Sequence, residues 1–196
     1  MQLFVLLCWL MGHFFLPLQA ASEVPADAIL VRDFSMYQPD NRSRQLVADI
    51  RFDYYLNQYL RDSLQNGITL QNEIRFDLVW HSDWWWNKTE TLDRIVVELK
   101  YNDLSRKYQL FNKKTGESWN FSHLSAALEQ VGNVQNYRLP ILPAEAVGEN
   151  AAIYVEAVLK PLTDKSLDIP AKLSSLFFRH DNHQLVSQGV LWPLTP

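Results

Sequence analysis

The stretch ITLQNEIRFDLVW, Ile68–Trp80, decides the fold class. Its polar residues Thr69, Gln71, Glu73, Arg75 and Asp77 occupy odd positions, and the even positions are apolar except for Asn72. The apolar series is Ile68, Leu70, Ile74, Phe76, Leu78 and Trp80. Successive side chains of a β-strand point to opposite faces, so this alternation predicts a strand with one apolar face and one wet face. Such strands are typical of antiparallel sheets that cover a core on one side.

The same alternation recurs along the chain. It is clear at Leu46–Tyr54, where Asp49, Arg51 and Asp53 form the wet face, and at Ile95–Tyr101. Further strands are predicted at Ile29–Tyr37, Leu104–Phe111, Glu117–Phe121, Ile153–Leu162 and Leu185–Trp192. Roughly eight strands are more than one small sheet holds without curling or splitting. The sequence therefore predicts a mainly β fold, an antiparallel β-sandwich that is immunoglobulin-like or similar.

Two or three short helices are predicted between the strands. A helix at Asn57–Asn66 would align Leu60 and Leu64 with the preceding Leu56 on one stripe, and Gly67 follows where a helix end favours glycine. Ser122 is expected to cap a second helix that ends before Gly132, and a third turn is expected from Pro170. The connecting segments are read as a hairpin turn at Lys113–Gly116 and a mobile loop at Pro140–Gly148.

The charge balance excludes some classes of partner. The chain has 18 Lys and Arg against 22 Asp and Glu, a formal net charge of -4. Nucleic-acid binding depends on clustered basic residues that contact phosphates, so we expect no nucleic-acid partner.

The N-terminal segment predicts export. Residues 1–20, MQLFVLLCWLMGHFFLPLQA, carry no charged side chain, and Leu3–Leu16 is almost wholly apolar. That length suits a signal peptide and is short for a membrane-spanning helix. We expect a signal peptide at residues 1–20, with an uncleaved membrane anchor as the alternative, and a single β-sandwich domain at residues 21–196. Cleavage after Ala20 would remove Cys8, which excludes disulfides and thiol catalysis from the mature chain.

A tryptophan cluster is the most distinctive local feature. Trp84, Trp85 and Trp86 follow His81 in the segment HSDWWWNKTE. Three adjacent rings on an extended chain cannot all point inward. Three interpretations stay open, namely a plug of the core, a ligand or partner contact, and a foot in the membrane interface. If these side chains are exposed, Trp84, Trp85, Trp86 and His81 are the predicted contact residues.

Catalytic patterns are scarce. His180 and His183 could supply two metal ligands, but a zinc site needs at least one more, and a polar surface turn is the alternative. Ser nucleophile motifs and Gly-rich phosphate loops do not occur. Carboxylates four apart on one strand face lie roughly 13 Å from each other, too far for a glycosidase pair. We expect no enzymatic activity, no cofactor and no metal.

Several segments resemble a known bacterial family. They are NQYLRDSLQNGITL at Asn57–Leu70, the turn at Trp84–Trp86, VELKYNDLSRKYQL at Val97–Leu110 and FSHLSAALEQVG at Phe121–Gly132. Together they resemble the uncharacterised family often labelled "proline rich signal peptide protein", a domain of unknown function (family 4390). Near its C-terminal end the family usually has Leu-Pro and Trp-x-Leu, whereas this chain has DIPA at residues 168–171 and LFF at residues 176–178, with phenylalanine in the place of the tryptophan.

The resemblance implies a location and a setting, but no catalytic residue. It implies an exported protein of the proteobacterial periplasm, or one anchored in the inner membrane. Genes of the family often lie beside a membrane sensor kinase and an RNA methyltransferase, which suggests envelope signalling. We therefore expect a non-enzymatic binding or regulatory module, with a membrane protein such as a sensor kinase as partner. The alternatives are a small-ligand or glycan-binding domain that uses Trp84–Trp86, and a metal-dependent hydrolase.

Overall fold

The computed structural model describes residues 27–39, 44–80, 88–146, 151–162 and 184–194. Within them lie two α-helices, α1 (Gln58–Gln65) and α2 (Leu124–Gly132), and a 3-10 turn at Ala144–Ala146. The strands are β1 (Ala28–Tyr37), β2 (Val47–Tyr55), β3 (Leu70–Trp80), β4 (Lys88–Asn102), β5 (Lys107–Asn112), β6 (Ser118–Phe121), β7 (Asn133–Arg138), β8 (Ala151–Pro161), β9 (Leu185–Val186) and β10 (Val190–Pro193).

The strands form two antiparallel sheets. The small sheet has the order β1-β2-β7, and the large sheet has the order β10-β8-β3-β4-β5-β6, with β9 also paired to β8. One hydrophobic core draws on both, from Phe52 of the small sheet to Phe76 of the large one. The sheets face each other as a sandwich and do not close into a barrel. The predicted mainly β, antiparallel sandwich is confirmed.

Alternation identified the core faces of the central strands. In β2, Ala48, Ile50, Phe52 and Tyr54 are buried, and in β3, Leu70, Ile74, Phe76 and Leu78 are fully buried. Three of the face assignments were wrong. Val47 and Asp77 are buried, although their positions fall on the strand face that was predicted to be exposed to solvent. Ile68 is exposed because β3 starts only at Leu70.

The first helix forms as predicted, and the second differs at its start. The Asn57 side chain caps α1 by accepting a hydrogen bond from the Leu60 N–H at 2.9 Å, and Gly67 has a φ of 81°. Helix α2 begins after His123, so Ser122 is not its cap. Gly132 is the last helical residue, and β7 follows it directly. The third turn predicted from Pro170 lies outside the described residues.

Several strand predictions were incomplete. The sequence of β7, NVQNYR, is mostly polar, and Asn136 has a φ of 51° at an irregular part of its pairing with β2. These features hide the strand's alternation. Strand β5 begins at Lys107 because the residues before it form a tight turn in which Arg106 has a φ of 51°. The predicted strand Leu185–Trp192 is split into β9 and β10.

The segment after β7 is anchored to the fold, which corrects the prediction of a mobile loop. Leu139 and Leu142 are buried. Their N–H groups donate to the carbonyls of Leu46 and Arg44, at 2.9 and 2.8 Å. Gly148 lies outside the described residues. The predicted hairpin turn at Lys113–Gly116 joins β5 to β6, with Gly116 at a φ of 75°.

Both α-helices join one sheet to the other. Helix α1 runs from β2 to β3, and α2 runs from β6 to β7. Leu60 and Leu64 of α1 are fully buried, so this helix closes the end of the sandwich where β2 ends and β3 begins. None of the described helices is both long and apolar enough to cross a membrane.

A polar cluster ties the two sheets together at β7. Lys114 Nζ lies 2.6 Å from Asp93 Oδ2, and the Tyr137 hydroxyl donates to the same carboxylate at 2.8 Å. The Tyr137 ring stacks on Phe76 with centroids 5.4 Å apart. Burial of Asp93 acts to raise its pKa, but the hydrogen bonds from Lys114 and Tyr137 outweigh it and hold the pKa below its usual value.

A buried hydrogen bond crosses the core. The Tyr54 hydroxyl of β2 donates to Asn72 Oδ1 of β3 at 2.8 Å, and Asn72 is fully buried. Burial raises the pKa of Tyr54 well above its ordinary value, while the bond to Asn72 lowers it slightly. Tyr54 therefore stays a neutral donor, and Asn72 accepts. The Asn72 amide nitrogen has no hydrogen-bond partner among the described residues.

Candidate functional site

A cleft of about 420 Å³ opens between β2 and α2. Side chains from β1 and α1 complete its walls. Its volume falls within the range of roughly 300–1,000 Å³ typical of small-molecule sites.

The cleft exists because β7 covers only half of β2. Strand β1 pairs with β2 as far as Tyr55, whereas β7 pairs with it only from Val47 to Arg51. Beyond Arg51, α2 takes the place of a strand beside β2. A helix has a diameter of roughly 10 Å and so keeps its axis farther away than the spacing of about 4.8 Å between strands. The space left along the edge of β2 is the cleft.

One wall carries a cation placed by a β-bulge. Strands β1 and β2 shift register between Val31 and Asp33, which makes Arg32 the extra residue. A bulge re-aims the side chain it contains. Here Arg32 Nη1 lies 3.3 Å from Asp53 Oδ2, and both residues line the cleft.

Two further arginines line the cleft, and unlike Arg32 they form no ion pair with a described carboxylate. Arg61 of α1 donates from Nε to the Leu56 carbonyl at 2.9 Å, a neutral acceptor. Arg51 of β2 takes part in no ion pair with any other described residue, and this includes its register partner Asp33. Both arginines are exposed, and among the described residues of the cleft wall Asp53 and Glu129 are the carboxylates.

The opposite wall is α2, which presents an apolar surface with a polar margin. Leu128 is buried and Leu124 is half-buried, while Ser125 is exposed. Tyr55 at the end of β2 is half-buried and faces the same space. The cleft begins at the N-terminus of α2, where the His123 side chain makes no capping hydrogen bond.

The chemistry of this lining favours recognition. A guanidinium is protonated at any physiological pH, so it cannot exchange a proton as a general acid or base. Its planar N–H groups match the oxygens of a carboxylate or phosphate. Asp53 forms an ion pair with Arg32.

The sequence-predicted site residues lie elsewhere in the chain. His81 and Trp84–Trp86, together with His180 and His183, lie outside the described residues. Trp80, predicted to be core, is half-buried and packs against the core, with Lys88 Nζ 4.3 Å from its ring centroid. Among the described residues, no three of His, Cys, Asp and Glu are arranged to hold a metal ion.

The strand carboxylates that the sequence suggested as solvated have partners. Asp49 accepts from the Asn136 N–H at 2.6 Å, and Asp77 accepts from the Thr91 hydroxyl at 2.7 Å. Glu73 lies 3.9 Å from Arg94. These carboxylates hold neighbouring strands together.

Sequence reasoning missed the cleft arginines. The alternation of β2 placed Arg51 and Asp53 on the outer face, and this assignment agrees with the structure. Arg61 was not singled out in the sequence. No local pattern indicated that α2 would lie beside that face. A bulge at Arg32 leaves no signal in the sequence either.

The comparisons with known proteins identify a family. No curated protein and no solved structure matches the chain. Residues 28–176 match the sequence profile of a family described as "Domain of unknown function (DUF4390)". This match covers most of the chain and both walls of the cleft. The resemblance inferred from the sequence is thereby confirmed, and the chain belongs to the DUF4390 family.

Proposed function

We propose that this protein is an exported, non-enzymatic binding module and that the cleft between β2 and α2 holds its ligand. The observation that carries the proposal is the convergence of Arg32, Arg51 and Arg61 on a space bounded by apolar side chains of α2. Ligand sites usually combine an apolar lining with a few polar groups that fix orientation.

Binding without catalysis fits the same residues. The cations of the cleft are permanently protonated, and Asp53 is engaged by Arg32. General acid–base catalysis needs a group whose pKa lies near the working pH. The arginines of the cleft can therefore orient a ligand without exchanging a proton with it.

Mapping of small fragments onto the purified full chain by amide NMR tests the proposed site. We expect the fragments that bind to shift the amide signals of Tyr55, Ser125 and Leu128 together. Ser125→Trp should fill the cleft and abolish those shifts, whereas Ser118→Trp, on exposed β6, should leave them unchanged. Binders that shift residues away from the cleft, or that are indifferent to Ser125→Trp, would rule this site out.

The apolar N-terminal segment and the family resemblance support a periplasmic location, with inner-membrane anchoring as the alternative. The proposed partner is the extracytoplasmic part of a membrane protein such as a sensor kinase, contacted through Trp84–Trp86. These residues follow Trp80, the last residue of β3. Trp80 lies roughly 33 Å along the strand from Leu70, and it is the Leu70 end of the sandwich that α1 closes. Trp80 thus lies at the end of β3 opposite to α1, whose Arg61 lines the cleft.

Experiments in bacterial cells test location and partner together. Protease added to spheroplasts is expected to digest the full chain but spare a variant that lacks residues 1–20. A photo-crosslinking amino acid at Trp85 is expected to give a conjugate in the membrane fraction, and one at Asn120 is not. Protection of the full chain would refute export. Equal conjugates from both positions would refute the tryptophan contact.

A further inference from the structure

The summed formal charge of the side chains that line the cleft is positive, whereas the net charge of the whole chain is negative. The formal net charge of the protein is -4, yet the cleft brings together three arginines and two carboxylates. Arg32 and Asp53 neutralise each other at 3.3 Å. The remaining charges of the lining are two positive ones, on Arg51 and Arg61, and one negative one, on the exposed Glu129. The wall near β2 and α1 is therefore positive.

The two arginines are also prepared to bind an oxyanion. The bond from Arg61 Nε to the Leu56 carbonyl orients its guanidinium and leaves the terminal nitrogens to other acceptors. Arg51 has no ion pair among the described residues. A guanidinium forms two parallel hydrogen bonds with a carboxylate or phosphate, and such charge-assisted bonds are stronger than neutral ones.

The remaining wall limits the ligand in size and polarity. Leu124 and Leu128 of α2, with the ring of Tyr55, give an apolar surface next to the arginines. A cleft of about 420 Å³ suits a small molecule. A long polyanion would be repelled by the net negative charge of the rest of the protein. The lining thus fits one anionic group attached to an apolar body.

We infer that the ligand of the cleft is a small amphipathic oxyanion, a carboxylate or phosphate monoester, whose anionic group is held by Arg51 and Arg61 and whose apolar part lies against Leu124 and Leu128. This inference rests on the proposed function, because it names the class of ligand for the same site.

Matched probes that differ only in charge test the inference. Benzoate and phenyl phosphate carry the anion, benzamide is the neutral counterpart of benzoate, and benzylamine is a cationic counterpart. Titration of the full chain is followed by the NMR signals of the Ser125 amide and the arginine Nε–H groups. We expect saturable binding of at least one anion and binding at least tenfold weaker for benzamide and benzylamine. The stronger of benzoate and phenyl phosphate identifies the carboxylate or the phosphate source.

Charge-removing variants locate the contact. Arg51→Gln and Arg61→Gln are each expected to weaken anion binding about tenfold or more. The control is Arg138→Gln, at an exposed position of β7 outside the cleft, and it is expected to have no effect. If benzamide binds the cleft as tightly as benzoate, or both cleft variants bind benzoate normally, the anion inference is wrong while the cleft remains a binding site. If no fragment of any charge shifts the cleft residues, the proposed function fails as well.

Discussion

Gly132→Ala is expected to lower the free energy of unfolding by about 3 kcal/mol, the upper end of the usual cost of overpacking. A Cβ at Gly132 would lie 2.1 Å from the Phe52 carbonyl oxygen and 3.1 Å from the Tyr54 ring. The Phe52 oxygen belongs to the backbone of a central strand and cannot rotate away. Helix α2 would have to move off β2, against a gain in helix propensity of only about 1 kcal/mol.

Gly189→Ala provides a matched control for this effect. A Cβ at Gly189 would also come within 2.1 Å of its neighbour, but that neighbour is the end of the Tyr154 side chain. The half-buried Tyr154 ring can turn aside. Urea unfolding of both variants should therefore show a clearly smaller loss for Gly189→Ala. Equal losses would contradict the view that α2 rests directly on the backbone of β2.

Movement of α2 would also alter the cleft. Leu124, Ser125 and Leu128 form one wall, and the contact at Gly132 sets the distance of that wall from β2. Under conditions in which Gly132→Ala remains folded, its affinity for cleft ligands should fall, and that of Gly189→Ala should not.

Asn72→Asp is expected to destabilise the protein by about 3–5 kcal/mol at neutral pH, because it places an uncompensated charge in the core. Asn72 is fully buried and its side-chain oxygen accepts from Tyr54. A carboxyl group of the same shape preserves that acceptor. The loss therefore reports the cost of the charge and not the loss of the hydrogen bond.

The pH dependence of this variant has a defined sign. Burial raises the pKa of the introduced carboxyl above the value of about 3.9 that it has in the unfolded chain. Between these two values the folded state holds more protons than the unfolded state, so stability falls as pH rises. Below about pH 4 both states are protonated, and the electrostatic cost disappears.

Chemical unfolding of wild type and variant between pH 3 and pH 8 measures the effect. Asn120→Asp, on the exposed strand β6, is the control and should follow the wild type within about 0.5 kcal/mol. A loss for Asn72→Asp that does not change with pH would show that the carboxyl group finds water, and that this part of the core is open.

The strands show which parts of the fold could be predicted from the sequence. Alternation located β2, β3 and β8 because one face of each is buried along most of its length, even though the pairing of β2 with its neighbours shifts register. It also indicated the outer side of β2 that carries Arg51 and Asp53. It failed for β7, whose residues are mostly polar and whose pairing includes a positive φ at Asn136.

The sequence by itself determined most of the strands, the apolar face of the central ones, and where Asn57 starts α1. These properties depend on neighbours within a few positions, since strand and helix periods and caps are local. Only the tertiary structure decided that α2 replaces β7 beside the second half of β2, and that Arg32, Arg51 and Arg61 meet there. Periodicity specifies the direction in which a side chain points, but contacts between distant segments decide what it meets.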